Sequence, residues 1–357
     1  MFKRRQVVAM CVGMLAAAWW PTRIECAEGE KNSELVLLIW PDYLDPELVK
    51  EFAASHKVMV RQVPFESDQE RDQQVVRKGS DTFDLMVVNH LNLPIYAKQG
   101  WVTPLEKDKL RHLAHIDTRW LADVEQNDHL LGIPYFWGNI GLAYREDLVP
   151  NPPTTWLEFF RPEEPLRGHL NAMESDRELL GMALKALGHS VNSEENAHLA
   201  AAEALLVGQK PYVKSYRYID LTKDSPLITG EVSVAMVYNG DAVKLSELHP
   251  RIRYIYPAEG SALWVDYLAL GTTTPARRAL ALAFLDFLND PVMAARNAQS
   301  LHFATPNREA RRLSAPAYLT DPVIFPPEEI LKRSEMIRPV APRTLRRIND
   351  IAARLLR

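Results

Sequence analysis

Leu35-Val36-Leu37-Leu38-Ile39-Trp40-Pro41-Asp42-Tyr43-Leu44-Asp45-Pro46-Glu47-Leu48-Val49-Lys50-Glu51-Phe52-Ala53 decides the fold class of this chain. Leu35 to Trp40 is an apolar run of strand length that Pro41 brings to an end. Asp45 then offers an N-cap and Pro46 a rigid first helical residue, and Leu48, Val49, Phe52 and Ala53 recur at helical spacing. Val58 to Val63 reads as the next strand, and Asp84 to Val88 as another that stops before Asn89. Strand, helix, strand at these separations predicts a parallel α/β sheet whose loops gather beyond the carboxyl ends of the strands. Trp40-Pro41-Asp42-Tyr43 and Val88-Asn89-His90 both fall in that functionally favoured zone.

Upstream, Lys3, Arg4 and Arg5 form a basic head, Val7 to Trp20 is almost entirely apolar, and Cys26-Ala27 offers a small-residue end before a polar run. That pattern reads as a secretory signal peptide over residues 1–27; the apolar stretch is short for a membrane span, and an uncleaved anchor is the rival. Cleavage would remove Lys3, Arg4, Arg5 and Arg23 against Glu25, taking the formal charge from −4 to −7, and would also remove Cys11 and Cys26. A domain of this size buries enough apolar surface to dispense with disulfides. The acidic balance opposes non-specific nucleic-acid binding and favours cations.

Downstream, 357 residues exceed one average core, so two lobes are expected, a single large α/β domain being the rival. Gly132 to Asn139 is aromatic and turn-rich and reads as a crossing into the second lobe, followed by a strand from Ile140 to Tyr144. Ser175 starts a helix carrying Leu179, Leu180, Ala183, Leu184 and Leu187, which Gly188 stops. Ser193 is expected to cap the next helix, with Glu194 and Glu195 in its first turn. Val232 to Tyr238 is a strand ending at the turn signal Asn239-Gly240. Ala262 to Leu270 is another, followed by a helix from Thr274-Pro275 and a break at Asn289-Asp290-Pro291. The last stretch places Leu345, Ile348, Ile351 and Leu355 among arginines and reads as a packed terminal helix, a membrane-surface helix being the rival.

The chain has no G-x-S-x-G elbow, P-loop or G-x-G-x-x-G fingerprint. His112 and His115 lack further spaced ligands for a metal. The case for an enzyme is therefore weak, and no cofactor is expected. Two stretches share a layout, Ile39-Trp40-Pro41-Asp42-Tyr43 and Leu263-Trp264-Val265-Asp266-Tyr267. In an extended strand, Trp and Asp two positions apart project from one face, an aromatic wall beside a carboxylate. Trp264 is also a candidate core residue, and Trp40 and Asp42 can equally close the core and brace the turn. Asp266 is costly in an apolar strand unless an ammonium, an arginine or a helix end compensates it. Ser175-Asp176-Arg177-Glu178 matches a capping box, so Glu178 either closes the helix start or meets an amine, with Glu174 and Asp176 nearby. Tyr43, Tyr135 and Tyr238 supply further walls if their loops converge. Aromatic faces attract cations and cover methylenes, while carboxylates bond the nitrogens, a combination suited to an alkylamine.

The ordered set Phe83-Asp84-Leu85-Met86-Val87-Val88, Ile133 to Gly138, Arg177-Glu178-Leu179, Met236-Val237-Tyr238-Asn239-Gly240 and Leu263 to Ala269 resembles the bacterial periplasmic polyamine-binding proteins, especially the spermidine/putrescine receptors of ABC transporters. The resemblance runs from about Leu35 into the C-terminal region. It implies a hinged, two-lobed periplasmic binding protein of type II, with the ligand in the interlobe cleft and no bond chemistry. The lobes expected are residues 28–139 with about 261–320, and 140–260 with about 321–357. By the same resemblance Trp40, Tyr43 and Trp264 are aromatic contacts, Asp42, Glu178 and Asp266 are acidic contacts, and Tyr238 stands where Trp is common. Asn89 and Leu91 replace a serine and an aromatic, and Ser175 replaces an acid. The implied ligand is a linear polyamine such as spermidine, putrescine or norspermidine, bound by a periplasmic monomer. The implied partner is an ABC permease or, as in some relatives that act as sensors, a membrane diguanylate cyclase or phosphodiesterase controlling biofilm. A secreted carboxylate enzyme and a structural interaction protein are the rival classes.

Overall fold

The structure is a computed structural model that describes residues 34–355, apart from 123, 127 and 128. The expected signal segment lies outside the described residues. Strands β1 (Glu34–Ile39), β2 (Met59–Pro64) and β3 (Leu85–Asn89) form in the expected order, and β1 runs parallel to both neighbours. Between β1 and β2 the helix Pro46–His56 starts as its residues require: Pro46 occupies the first helical position, and the Asp45 carboxylate accepts from Glu47 N at 2.8 Å.

The remaining strands on the main path of the sheet are β4 (Ile133–Arg145), β5 (Leu170–Ala172), β6 (Val213–Tyr216), β7 (Val234–Tyr238) and β8 (Ala262–Gly271). Their order across the sheet is β2-β1-β3-β8-β4-β7-β5-β6. β8 is antiparallel to β3 and β4, and β7 is antiparallel to β4, so the α/β sheet is mixed at its centre. Strand β4 passes from one hydrophobic core to another. Ile133, Tyr135, Phe136 and Trp137 pack with Leu35, Phe52 and Phe284, whereas Ile140 and Leu142 pack with Trp156, Leu180 and Ile351.

Four local expectations give way to packing. Residues 133–139 do lead from one core to the other, but as the first half of β4, a single strand of 13 residues, rather than as a turn-rich segment. Pro134 is accommodated beside a bulge where the β8 register shifts between Asp266 and Tyr267. Gly138 serves close approach, since a Cβ there would lie 2.6 Å from Trp264 Cζ2. Asn239-Gly240 is not a turn either: β7 runs directly into the helix Asn239–Leu248, and Gly240 admits the Phe303 ring, whose Cε1 would clash with a Cβ.

The helix Asn196–Gln209 takes Glu195, not Ser193, as its N-cap. Ser193 Oγ is held instead 2.8 Å from His198 Nδ1, and the Glu194 carboxylate reaches forward to accept from Ala341 N at 3.0 Å. The terminal helix Pro342–Leu355 does pack, burying Ile348, Ile351 and Leu355 in the second core, which argues against a membrane-surface role. Leu345 faces outward, and Thr344 takes its place inside with its hydroxyl on Glu194. Among the described residues no helix is long and apolar enough to cross a membrane.

Candidate functional site

Strand β8 carries Trp264 and Asp266 on one face, as the alternation of a strand dictates. The Tyr43 hydroxyl donates to Asp266 Oδ2 at 3.0 Å, from the loop between β1 and the first helix. That loop is braced from behind. Tyr135 donates to the Tyr43 carbonyl at 2.8 Å, and Asn297 donates to the Tyr135 hydroxyl at 2.8 Å while accepting from Asp45 N at 2.9 Å. Tyr135 is therefore a support for Tyr43.

A second unit of the same type stands on β7 and the helix Asp176–Ala186. Tyr238 donates to Glu178 Oε1 at 2.7 Å. Ser175 is the N-cap residue of that helix but makes no side-chain cap bond, so the expected capping box does not close. The Ser175 hydroxyl bonds the Glu178 carboxyl instead, which turns toward Tyr238 and the cleft. Rings link the two units. Phe303 lies 5.0 Å from Tyr43 and 6.0 Å from Trp264, Trp264 lies 6.0 Å from Tyr238, and Tyr218 stacks 6.4 Å from Tyr238.

Burial governs the electrostatics. It pushes Asp266 up to about 7, with Asp68 adding to the rise, while the Tyr43 hydroxyl and Arg71 oppose it. Burial also raises Glu178 above the usual carboxylate range, against the bonds from Ser175 and Tyr238. Tyr43 and Tyr238 are raised by burial and by the carboxylates they bond. Among the described residues neither Asp266 nor Glu178 has a lysine, arginine or histidine at ion-pair distance. Two supported carboxyl groups beside an aromatic wall are thus equipped for a cation supplied from outside.

The first Trp-x-Asp pair departs from its expected geometry. β1 stops at Ile39, and Asp42 sits exposed in the following turn with φ 51, a left-handed conformation that aspartate tolerates. Trp40 and Asp42 therefore do not share a strand face, and Trp40 packs on Phe65 at 4.4 Å. Asn89 points elsewhere than expected as well: its amide donates to Asp68 at 2.6 Å and its carbonyl accepts from Leu91 N and Asn92 N. His112 and His115 stack 5.6 Å apart in a short turn, and no cluster of three or more His, Cys, Asp or Glu able to hold a metal exists among the described residues.

Four residues of the site escaped the sequence reading. Asp68 lies just beyond the carboxyl end of β2, where the rule that singled out Trp40 and Asn89 would have found it. Asp241 stands in the first turn of the helix after β7, and burial lifts it to about 6 against the pull of Lys244. Its charge acts on Tyr43. Phe303 and Tyr218 lie in connecting segments with no pattern to mark them.

The profile of the bacterial extracellular solute-binding proteins matches residues 47–326. The chain is 27% identical over 323 residues to the spermidine/putrescine-binding periplasmic protein of Escherichia coli strain K12, covering 90% of this chain and 91% of that protein. It is 30% identical over 300 residues to a norspermidine sensor of Vibrio cholerae serotype O1, covering 84% and 82%. Among solved structures, the substrate-binding protein of a spermidine/putrescine ABC transporter from Streptococcus pneumoniae superposes with a TM-score of 0.80 at 24% identity, over 90% of this chain and 98% of that one. The Tp0655 lipoprotein of Treponema pallidum does so with a TM-score of 0.78 at 23% identity, over 90% and 99%. The fold is that of the two-lobed periplasmic binding proteins, as the sequence led one to expect. By profile, coverage and architecture the chain belongs to the bacterial extracellular solute-binding proteins, a family that binds solutes rather than transforming them.

Proposed function

We propose that this protein captures a linear polyamine in the periplasm by closing two lobes around it. The observation that carries the reading is the pair of tyrosine-supported carboxyl groups, Tyr43 with Asp266 and Tyr238 with Glu178, joined by the rings of Phe303 and Trp264. Asp266 and Glu178 would meet ammonium groups, and the rings would cover the methylenes between them. Trp40 and Asp42 would close over the ligand from the loop after β1. The first lobe would comprise residues up to about 139 with β8 and the helices after it. The second would comprise the segment from Ile140 to about 260 with the terminal helix. Calorimetry of the purified protein with putrescine, cadaverine, spermidine and norspermidine tests the reading. Saturable binding of at least one is expected, and no binding of any would overturn it.

Occupancy would be read by a membrane partner. Likeness to a transporter receptor supports delivery to an ABC permease, and likeness to a norspermidine sensor supports a second reading, control of a membrane cyclic di-GMP enzyme. Reconstitution with each class of partner separates them: amine-stimulated ATP hydrolysis marks uptake, and an amine-dependent change in cyclic di-GMP turnover marks sensing.

A further inference from the structure

The loop after β2 brings a carboxylate to the cleft that the reading above leaves without a task. Ser67 caps the helix Asp68–Lys78, which fixes Asp68 in its first turn. Asp68 is then held from behind by three side chains. Its Oδ1 accepts from Arg71 Nη1 at 2.6 Å, and its Oδ2 accepts from Asn89 Nδ2 at 2.6 Å and from Asn92 Nδ2 at 3.3 Å. The Asp68 side chain is nonetheless 42% exposed, whereas that of Arg71 is 1% exposed. An oriented carboxylate with a buried guanidinium and two half-buried amides on one side and an exposed face on the other is preorganised for a contact on the exposed side.

The open side adjoins the first carboxyl unit: Asn89, which donates to Asp68 at 2.6 Å, is paired across β3 and β8 with Asp266. The charge of Asp68 acts on Asp266 and Glu178, and on Tyr238 and Tyr218. Internal cations do not balance this group. Arg71 is divided between Asp68 and Asp72, which it meets at 3.2 Å, and also donates to the Tyr96 hydroxyl at 2.9 Å. Arg177, the cation acting on Glu178, is drawn on by Glu194 too and donates to the Arg338 carbonyl at 2.7 Å. Lys244 acts on Asp241. Asp68, Asp72 and Asp266 thus share the guanidinium of Arg71, while Glu178 shares that of Arg177 with Glu194.

We infer that Asp68 is a third ammonium-facing carboxylate of the cleft and selects a ligand with three separated positive charges over one with two. The inference rests on the polyamine reading and names the class of polyamine. Asn89 and Arg71 become positioning residues for Asp68, which accounts for the amide of Asn89 turning to it.

The test is calorimetry of the purified wild-type protein and the Asp68→Asn variant with a triamine, norspermidine, and a diamine, cadaverine. Loss of one charge-assisted contact is expected to weaken norspermidine binding by about tenfold or more and cadaverine binding by no more than about threefold, so that the preference narrows. Equal weakening of both ligands, or of neither, in a folded variant would overturn the inference. Should Asp68→Asn fail to fold because Arg71 loses its shorter ion pair, the comparison is made between Arg71→Met and the double variant Asp68→Asn/Arg71→Met, in which no buried guanidinium is stranded. Wild-type protein that binds no amine overturns the polyamine reading itself. Wild-type protein that binds amines without preferring the triamine overturns only the inference.

Discussion

Burial raises the Asp266 carboxyl to about 7, so in amine-free protein it keeps its proton through the acidic range. An ammonium ligand stabilises the ionised carboxylate, so binding below neutral pH expels a proton, and affinity rises with pH until it levels off above about 7. Calorimetry at pH 6 in buffers of different ionisation enthalpy is expected to show proton release, and Asp266→Asn to reduce it. The same variant keeps shape but loses the charge, so amine affinity is expected to fall by roughly tenfold to a hundredfold while the circular dichroism spectrum is retained. The stability of the empty protein runs in the opposite sense. Because the folded-state value lies above the ordinary 3.8, the folded chain binds more protons than the unfolded chain between the two. This group's contribution to stability is fully present below about pH 4 and is lost as pH rises through about 7. Thermal melts of the amine-free protein across that window, compared with those of Asp266→Asn, isolate the contribution. At this scale the sequence was most legible where a polar residue interrupts an apolar strand, as Asp266 does. It was least legible where a turn decides direction, as at Asp42.

Strand β4 and the terminal helix show why elements were easier to name than to delimit. Pro134 and Gly138 carry breaker signals, yet the strand persists because a bulge takes up one and the Trp264 indole covers the other. The glycine is then a determinant of the aromatic wall. Gly138→Ala places a methyl 2.6 Å from Trp264 Cζ2 and against Asn239 Oδ1, and is expected to displace the indole and cost about 1–3 kcal/mol of stability. A shifted tryptophan emission spectrum, weaker amine binding and a lowered melting temperature together check it. The amphipathic pattern of the terminal helix was legible as packing, but its register was not. Thr344 faces inward and Leu345 outward because Glu194 anchors the Thr344 hydroxyl. Ile351, which is 1% exposed in the second core, is the better probe of that docking. Ile351→Ala is expected to cost about 2–5 kcal/mol in chemical denaturation while leaving the ligand preference in place, since it touches none of the cleft groups.

The whole molecule joins these scales because the two carboxyl units sit on different cores. Asp266 and Tyr43 belong to the elements around β1, β3 and β8, and Glu178 and Tyr238 to those around β5 and β7. Strand succession made the α/β class readable early. The coming together of Glu178 and Asp266 depends on contacts far apart in sequence, which periodicity does not encode and only the family likeness anticipated. A ligand that bonds both carboxyl groups has a higher affinity for a closed arrangement than for an open one, and it shifts the equilibrium by that difference. Small-angle scattering is therefore expected to show a smaller radius of gyration when saturating spermidine or norspermidine is added to wild-type protein. Glu178→Gln tests the mechanism, because an amine still held by Asp266 then gains less from approaching the second core. The variant is expected to bind more weakly and to compact less at equal occupancy. Full compaction by Glu178→Gln at saturation would show that closure is driven by the aromatic wall alone.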